Sequence, residues 1–187
     1  YQPTNSPIVL TGDTTISVVV GTTVVVNEVL TGTGNLIKSG PGTLILKGNN
    51  TYTGQTSVNG GILVVGHNNA LGTASGSKGT VVAANASVAV AQGVNIPEAL
   101  SINGFGPNDT GALRMILNPN LPNSPSTWSG PITMGGQSSI DVETNGQLTI
   151  SGVISASVGS INPGLSKIGS GRLALTGTNT YPGLTIV

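Results

Sequence analysis

The chain has 187 residues, of which 6% are charged and 3% aromatic, with six basic residues balanced by six acidic ones and no cysteine. Ordinary soluble domains carry about 25% charged residues, and a formal charge of zero leaves no basic face for phosphates, so nucleic acid is excluded as a partner. Without cysteine, disulfides, thiolate metal sites and cysteine nucleophiles are all removed.

From the N-terminus, YQPTNSPIVL lacks the basic and apolar regions of a secretory signal, so any export signal is expected outside this chain. The long apolar patch from Ile16 to Val26 is broken by Gly21 and hydroxyl residues. It falls short of the ~20 residues a membrane helix needs, and no transmembrane segment is expected. Further along, apolar residues alternate in short spans: Ile16 and Val18, Val24 and Val26, Leu44 and Leu46, Ile62 and Val64, Leu148 and Ile150, Leu173 and Leu175. A period of two marks strands with one buried face, and the Gly, Asn, Ser and Pro between them mark turns. No stretch has helical spacing; Pro97-Glu-Ala-Leu-Ser is too short.

Many short one-sided strands with few large side chains suit a coil that stacks on copies of itself, each covering the backbone edge of the last. At roughly 20 to 30 residues per coil the chain would hold about seven to nine. The expected fold is therefore all-β, a parallel β-solenoid, with a β-sandwich as the alternative.

A repeat supports the solenoid. GPGTLILKGNNTYTGQTSV, from Gly40, returns as GSGRLALTGTNTYPGLTIV at a shift of 129 residues. Gly40, Gly42, Gly48, Asn50, Tyr52 and Gly54 meet Gly169, Gly171, Gly177, Asn179, Tyr181 and Gly183, all read as structural turn positions. At a shift of 124, SPIVLTGDTTISV falls on GPITMGGQSSIDV. The shifts differ by five residues because SASVGSINPG is longer than its counterpart, which marks a surface loop. The expected organisation is one solenoid domain over 1–187, with a full cassette at about 6–129 and a partial second at about 130–187.

Chemistry is sparse. Asp141 and Glu143 share a strand face, yet Ile140 and Val142 take the apolar side, so both carboxylates are expected in solvent. His67, the single histidine, reads as a turn residue, and no metal or cofactor is expected. Lys38-Ser39 resembles a phosphate loop only faintly, since Ile37 stands where that motif requires Gly. Tyr52, Tyr181 and Trp128 are either exposed sugar platforms or rings packed over coil corners, with Asn50 and Asn179 making local Asx-type turns; packing is favoured. A polysaccharide-degrading enzyme would need Glu98 or Asp109 to converge with Asp141, and no enzyme is expected.

LIKSGPGTLILKGNNTYTGQTSVNGGILVVGHNNALGTA, from Leu36, resembles the passenger-associated, or autotransporter-associated, β-strand repeat, as do WSGPITMGGQSSI and the segment from Leu148 onward. The resemblance is weakest between Pro97 and Ser126. It implies a right-handed parallel β-helix on the outside of a bacterial cell or secreted from it. The translocator barrel of that family has no counterpart in this chain.

The reading is a non-catalytic extracellular solenoid belonging to a surface fibre. Its alternative is an adhesin or glycan-binding passenger segment, told apart by exposed aromatics or a groove near residues 97–126. Joining Val187, equivalent to Val58, to Tyr1, equivalent to about Pro125, skips 67 residues, close to three coils of roughly 22. Head-to-tail self-association is therefore expected, with Leu184, Ile186 and Val187 meeting Ile8 and Leu10. Surface glycans or a neighbouring cell surface are the other expected partners.

Overall fold

The computed structural model describes residues 6–73, 78–120 and 122–187. The chain winds through three faces in each turn. The first coil runs Ile8–Leu10, Thr14–Ser17 and Thr23–Val26. The second, Leu30–Gly32, Leu36–Ser39 and Thr43–Leu46, lies against it with Ile8 beside Leu30, Thr14 beside Leu36 and Thr23 beside Thr43. About seven turns follow one another this way. Every strand pairing among the described residues is parallel, which removes the sandwich alternative, whose sheets are antiparallel. The step between coils varies from 19 residues, Thr43 to Ile62, to 34, Gly104 to Ser138.

The core is a set of parallel columns. On the third face Val24, Leu44, Leu63, Val88, Leu113 and Ile140 stack in succession. Leu44, Leu63, Val88, Leu113 and Ile140 are all fully buried, each stabilising the fold by roughly 1.5–3 kcal/mol relative to exposure. The 19-residue step corrects one strand's phase. In Gly61–Val65 the inward residues are Leu63 and Val65, beneath Leu44 and Leu46, whereas Ile62 and Val64 take the other side of the strand, where Val64 is nonetheless covered. The run Ile-Leu-Val-Val is apolar at both parities, so alternation could not choose between its faces.

Glycines allow the coils to approach at the corner between first and second faces. Gly12, Gly34 and Gly54 follow one another there, and a Cβ on Gly34 would run into the Gly12 carbonyl oxygen. Gly130, Gly152 and Gly177 repeat the arrangement lower down, and a Cβ on Gly152 would meet Gly130 O. Between the two runs, Glu98 takes the corner, above Gly130.

The strand Ile132–Val142 crosses from the second face to the third without a turn, its start beside Leu100 and its end beside Leu113. Positions related by the sequence repeat keep their local neighbours. Ile8 beside Leu30 returns as Ile132 beside Ile154, Ile16 beside Lys38 as Ile140 beside Lys167, and Val24 beside Leu44 as Leu148 beside Leu173. Yet Ile132 does not return to the face of Ile8. It stands on the second face, in the column of Thr14, Leu36, Thr56, Thr80 and Leu100. The repeat thus carries the chain through five coils and one face more.

Residues 97–126 belong to the stack more than their sequence suggests. Leu100–Gly104 and Leu113–Ile116 are ordinary coil strands, and among the described residues of this stretch 105–112, 117–120 and 122–125 leave the three faces. The longer loop of the second cassette bulges outward, with Val158 and Ile161 almost fully exposed.

Candidate binding site around Phe105

The repeated corner residues build structure. Lys38 shares the inner side of its strand with Leu36 and is fully buried. Its Nζ donates to Ser39 O at 2.9 Å, Gly40 O at 2.8 Å and Gly60 O at 2.9 Å, so all three of its donors are used. Burial pulls its ammonium below the ordinary pKa. Lys167 repeats two of these bonds, to Ile168 O and Gly169 O.

Asn50 bridges three coils. Its Oδ1 accepts from Leu30 N at 2.8 Å, and its Nδ2 donates to Ala70 O at 2.6 Å. This corrects the Asx-turn expectation, because the side chain bonds the coils above and below rather than its own turn. Asn179 Oδ1 accepts from Ile154 N at the same 2.8 Å. Tyr52 is buried, with its hydroxyl 2.6 Å from Thr56 Oγ1, and burial pushes its phenol up. Tyr181 pairs with Thr185 in the same way. Trp128 is also buried and donates Nε1 to Glu98 O at 2.9 Å. None of these three rings is an open platform.

The carboxylates are dispersed and engaged. Asp141 Oδ2 lies 3.5 Å from Arg114 Nε, and Glu143 Oε2 accepts from Leu117 N at 2.8 Å. Both side chains are partly buried, correcting the expectation of a solvated edge; Arg114 and the Leu117 amide of the preceding coil claim them. Glu98, on the corner between first and second faces, lines a 290 Å³ cavity with Asn68, Asn69 and Pro97. Its Oε1 accepts from Thr80 Oγ1 at 3.0 Å, while Oε2 is buried without a hydrogen-bond partner among the described residues. Burial pushes this carboxyl up to about 8, against the pull of the Thr80 hydroxyl. Asp109 lies on the loop after the second face and Asp141 on the third. His67 Nδ1 accepts from Asn69 N at 3.1 Å within its turn. No group of three His, Cys, Asp or Glu among the described residues is placed to hold a metal ion.

Of the residues expected at end-to-end contacts, Ile8, Leu184, Ile186 and Val187 are exposed, whereas Leu10 is buried inside the first coil.

The loop 105–112 is different in kind. Gly104, Gly106 and Gly111 have φ of 77°, 77° and 101°, and two residues with side chains, Asn108 and Asp109, also take left-handed φ of 52° and 58°. Such positions are uncommon outside glycine, and they concentrate at functional sites. Gly111 N closes the loop onto Phe105 O at 2.7 Å, and Thr110 Oγ1 ties it to Pro107 O at 2.7 Å. Ser139 Oγ, on the next coil, donates to Phe105 O at 3.3 Å. The pinned loop holds Phe105 42% exposed, the one aromatic ring classed as exposed among the described residues. With Asp109, Ser139, Ser166 and Ile168 it lines a 350 Å³ cavity against the third face. Sequence reading missed this ring. Its signal was a lone Phe between two glycines, in the part of the chain that repeats least.

The family comparison bears on the corners just described. Residues 36–65 and 165–187, the stretches holding the paired Lys, Asn and Tyr bonds, match the model of the passenger-associated-transport-repeat. The chain is a passenger-associated repeat protein. Over 155 residues, 82% of its length, it is 32% identical to the adhesin BmaC autotransporter of Brucella suis biovar 1. Over 40 residues, 21% of its length, it is 58% identical to the Neisserial autotransporter lipoprotein NalP of Neisseria meningitidis serogroup B. It spans only 3% of the first relative and 4% of the second. No solved structure matches it. Within these matched stretches Asn50, Asn179 and Lys38 thus bond one coil to the next, while Tyr52 and Tyr181 brace the corner of their own coil.

Proposed function

We propose that this chain is a non-catalytic, surface-exposed rod segment of an autotransporter passenger, serving adhesion by carrying binding loops outward from a bacterial cell. The observation that carries this reading is the long similarity to an autotransporter named as an adhesin, over 82% of the chain. Fully bonded coil corners support it, since side chains spent on Lys38, Asn50 and Tyr52 contacts are unavailable for chemistry. Scattered carboxylates support the non-catalytic part, because glycoside hydrolysis asks for two carboxyls within one cleft.

The finer reading is that such rods also associate end to end, head to tail, through Leu184, Ile186 and Val187 against Ile8 and the strand that holds Leu10. Few surface charges oppose that contact.

Treating intact producing cells with an external protease tests surface display. An antibody against the chain should lose its signal before lysis; a signal that survives until the cells are opened overturns the reading. Negative-stain electron microscopy of the purified chain over a concentration series tests the association. Filaments a few nanometres wide that lengthen with concentration are expected, and short rods of constant length would refute it.

A further inference from the structure

We infer that the cavity beneath Phe105 is a binding subsite for a neutral sugar ring. The inference extends the adhesive reading above by naming the ligand chemistry.

The argument starts from where this chain puts its rings. Tyr52 and Trp128 are fully buried and Tyr181 is half-buried. Phe105 alone among them is held outward, on a loop where two residues with side chains adopt the left-handed conformation. An apolar side chain would ordinarily be expected to fold in from such a position. Here the closing bond from Gly111 N and the bond from Ser139 Oγ both grip the Phe105 carbonyl, so the backbone that aims the ring is fixed from two sides. Gly106 cannot be replaced without collision, since a Cβ there would run into Gly111 O. The display of Phe105 is therefore built into the fold.

The lining then selects the ligand. One flat apolar face beside a carboxylate and serine hydroxyls matches a pyranose, which offers an apolar C–H face to an aromatic ring and hydroxyls around its rim. Asp109 is exposed, and its carboxylate accepts two hydroxyl hydrogens where a neutral side chain would accept fewer. Among the described residues none that is basic lines the cavity, so an anionic polysaccharide would bring its charge toward Asp109 with no cation beside it. Around the corner, a second cavity of 300 Å³ lies on the same coils, lined by Ser101, Asn103, Thr133 and Ser157 among apolar neighbours. Hydroxyls and an amide there suit further sugar units of the same chain, and an oligosaccharide is a better fit than a single ring.

The test uses the whole chain, isotopically labelled, with cellohexaose, maltohexaose and mannohexaose as probes in heteronuclear NMR titrations. One of the three should shift amide resonances of Gly104 to Gly111, Ser139, Ser166 and Ile168. The variant Phe105→Ala should weaken that binding roughly tenfold or more. Asp109→Asn keeps a residue that tolerates left-handed φ and should weaken it less, with the other amide positions unmoved. Thermal melting of both variants reports whether the fold survives. Absence of shifts with all three sugars overturns the inference, as do shifts confined to other coils or equal affinity in folded Phe105→Ala. Binding of an unstructured peptide at these residues, with no response to sugars, would also overturn it. Surface display is read separately on cells, so failure here leaves that result untouched.

Discussion

Lys38 and Gly60 belong to successive coils, and the lysine Nζ reaches the glycine carbonyl oxygen at 2.9 Å from inside the barrel of side chains. A buried ammonium is costly unless every donor is met, and here Ser39 O and Gly40 O take the other two. Replacing it as Lys38→Met keeps the stem's volume but strands three carbonyls, for a loss of about 3 kcal/mol or more. Urea denaturation should show the loss as a lower midpoint. Lys167→Met, which breaks two bonds at a less buried site, should cost less; equal losses would mean that the bond to Gly60 contributes nothing.

Asn50 joins its neighbours through both ends of its amide. Asn50→Asp retains the acceptor for Leu30 N but presents a carboxylate to Ala70 O, and Asn50→Ala loses both bonds. Each should destabilise the chain by about 2–3 kcal/mol. Hydrogen exchange should quicken at Leu30 in Asn50→Ala and not in Asn50→Asp, a contrast that separates bridging from simple cavity formation.

Glu98 gives the protein an inverted response to pH. Its carboxyl stands near 8 in the fold because burial disfavours the charged form, against about 4.3 in an unfolded chain. Between those values the folded state holds a proton that the unfolded state has released, so stability is greatest at the acid end and falls as pH rises toward 8. Glu98→Gln should be more stable than the parent at pH 8 and should flatten thermal midpoints measured from pH 5 to 8. A parent whose midpoint rises across that range would contradict this account.

Gly152 stacks against Gly130 with no room for a methyl group. Gly152→Ala should therefore destabilise by several kcal/mol or prevent folding, because the strain of a forced backbone shift outweighs the gain from a stiffer unfolded chain. Gly12→Ala, at the same corner of the first coil, meets nothing within 4 Å and should be nearly neutral. If the two changes have equal effects, close stacking is not the reason for these glycines.

The solenoid itself was legible because its signals are periodic: alternation in Leu44 and Leu46, the Gly-bounded turns, and the return of Asn50 and Tyr52 as Asn179 and Tyr181. What alternation could not decide was parity in an all-apolar run, and Gly61–Val65 took the phase opposite to expectation. Lys38 was readable in principle, since it shares strand parity with the buried Leu36, but a lysine's charge argues for the outside. Asp141 lies in the expected strand, Glu143 just past its end at Val142, and both were wrongly placed in solvent, because Arg114 and the Leu117 amide come from another coil. Phe105 was missed since its exposure depends on a loop closed by backbone bonds, which leave no pattern in side-chain type.

The one-face advance between Ile8 and Ile132 sets a pitch for anything the cassette displays. A loop grown at a given cassette position faces one compass direction, and its next copy points a third of a revolution away. Three cassettes bring the bearing back to its start. A rod built from such units would carry its loops as a spiral stair, open to contact from every side, where a repeat of whole coils would line them along a single flank. Crowded surfaces reward that arrangement, since no rotation of the rod would turn all of its loops away from an opposing cell.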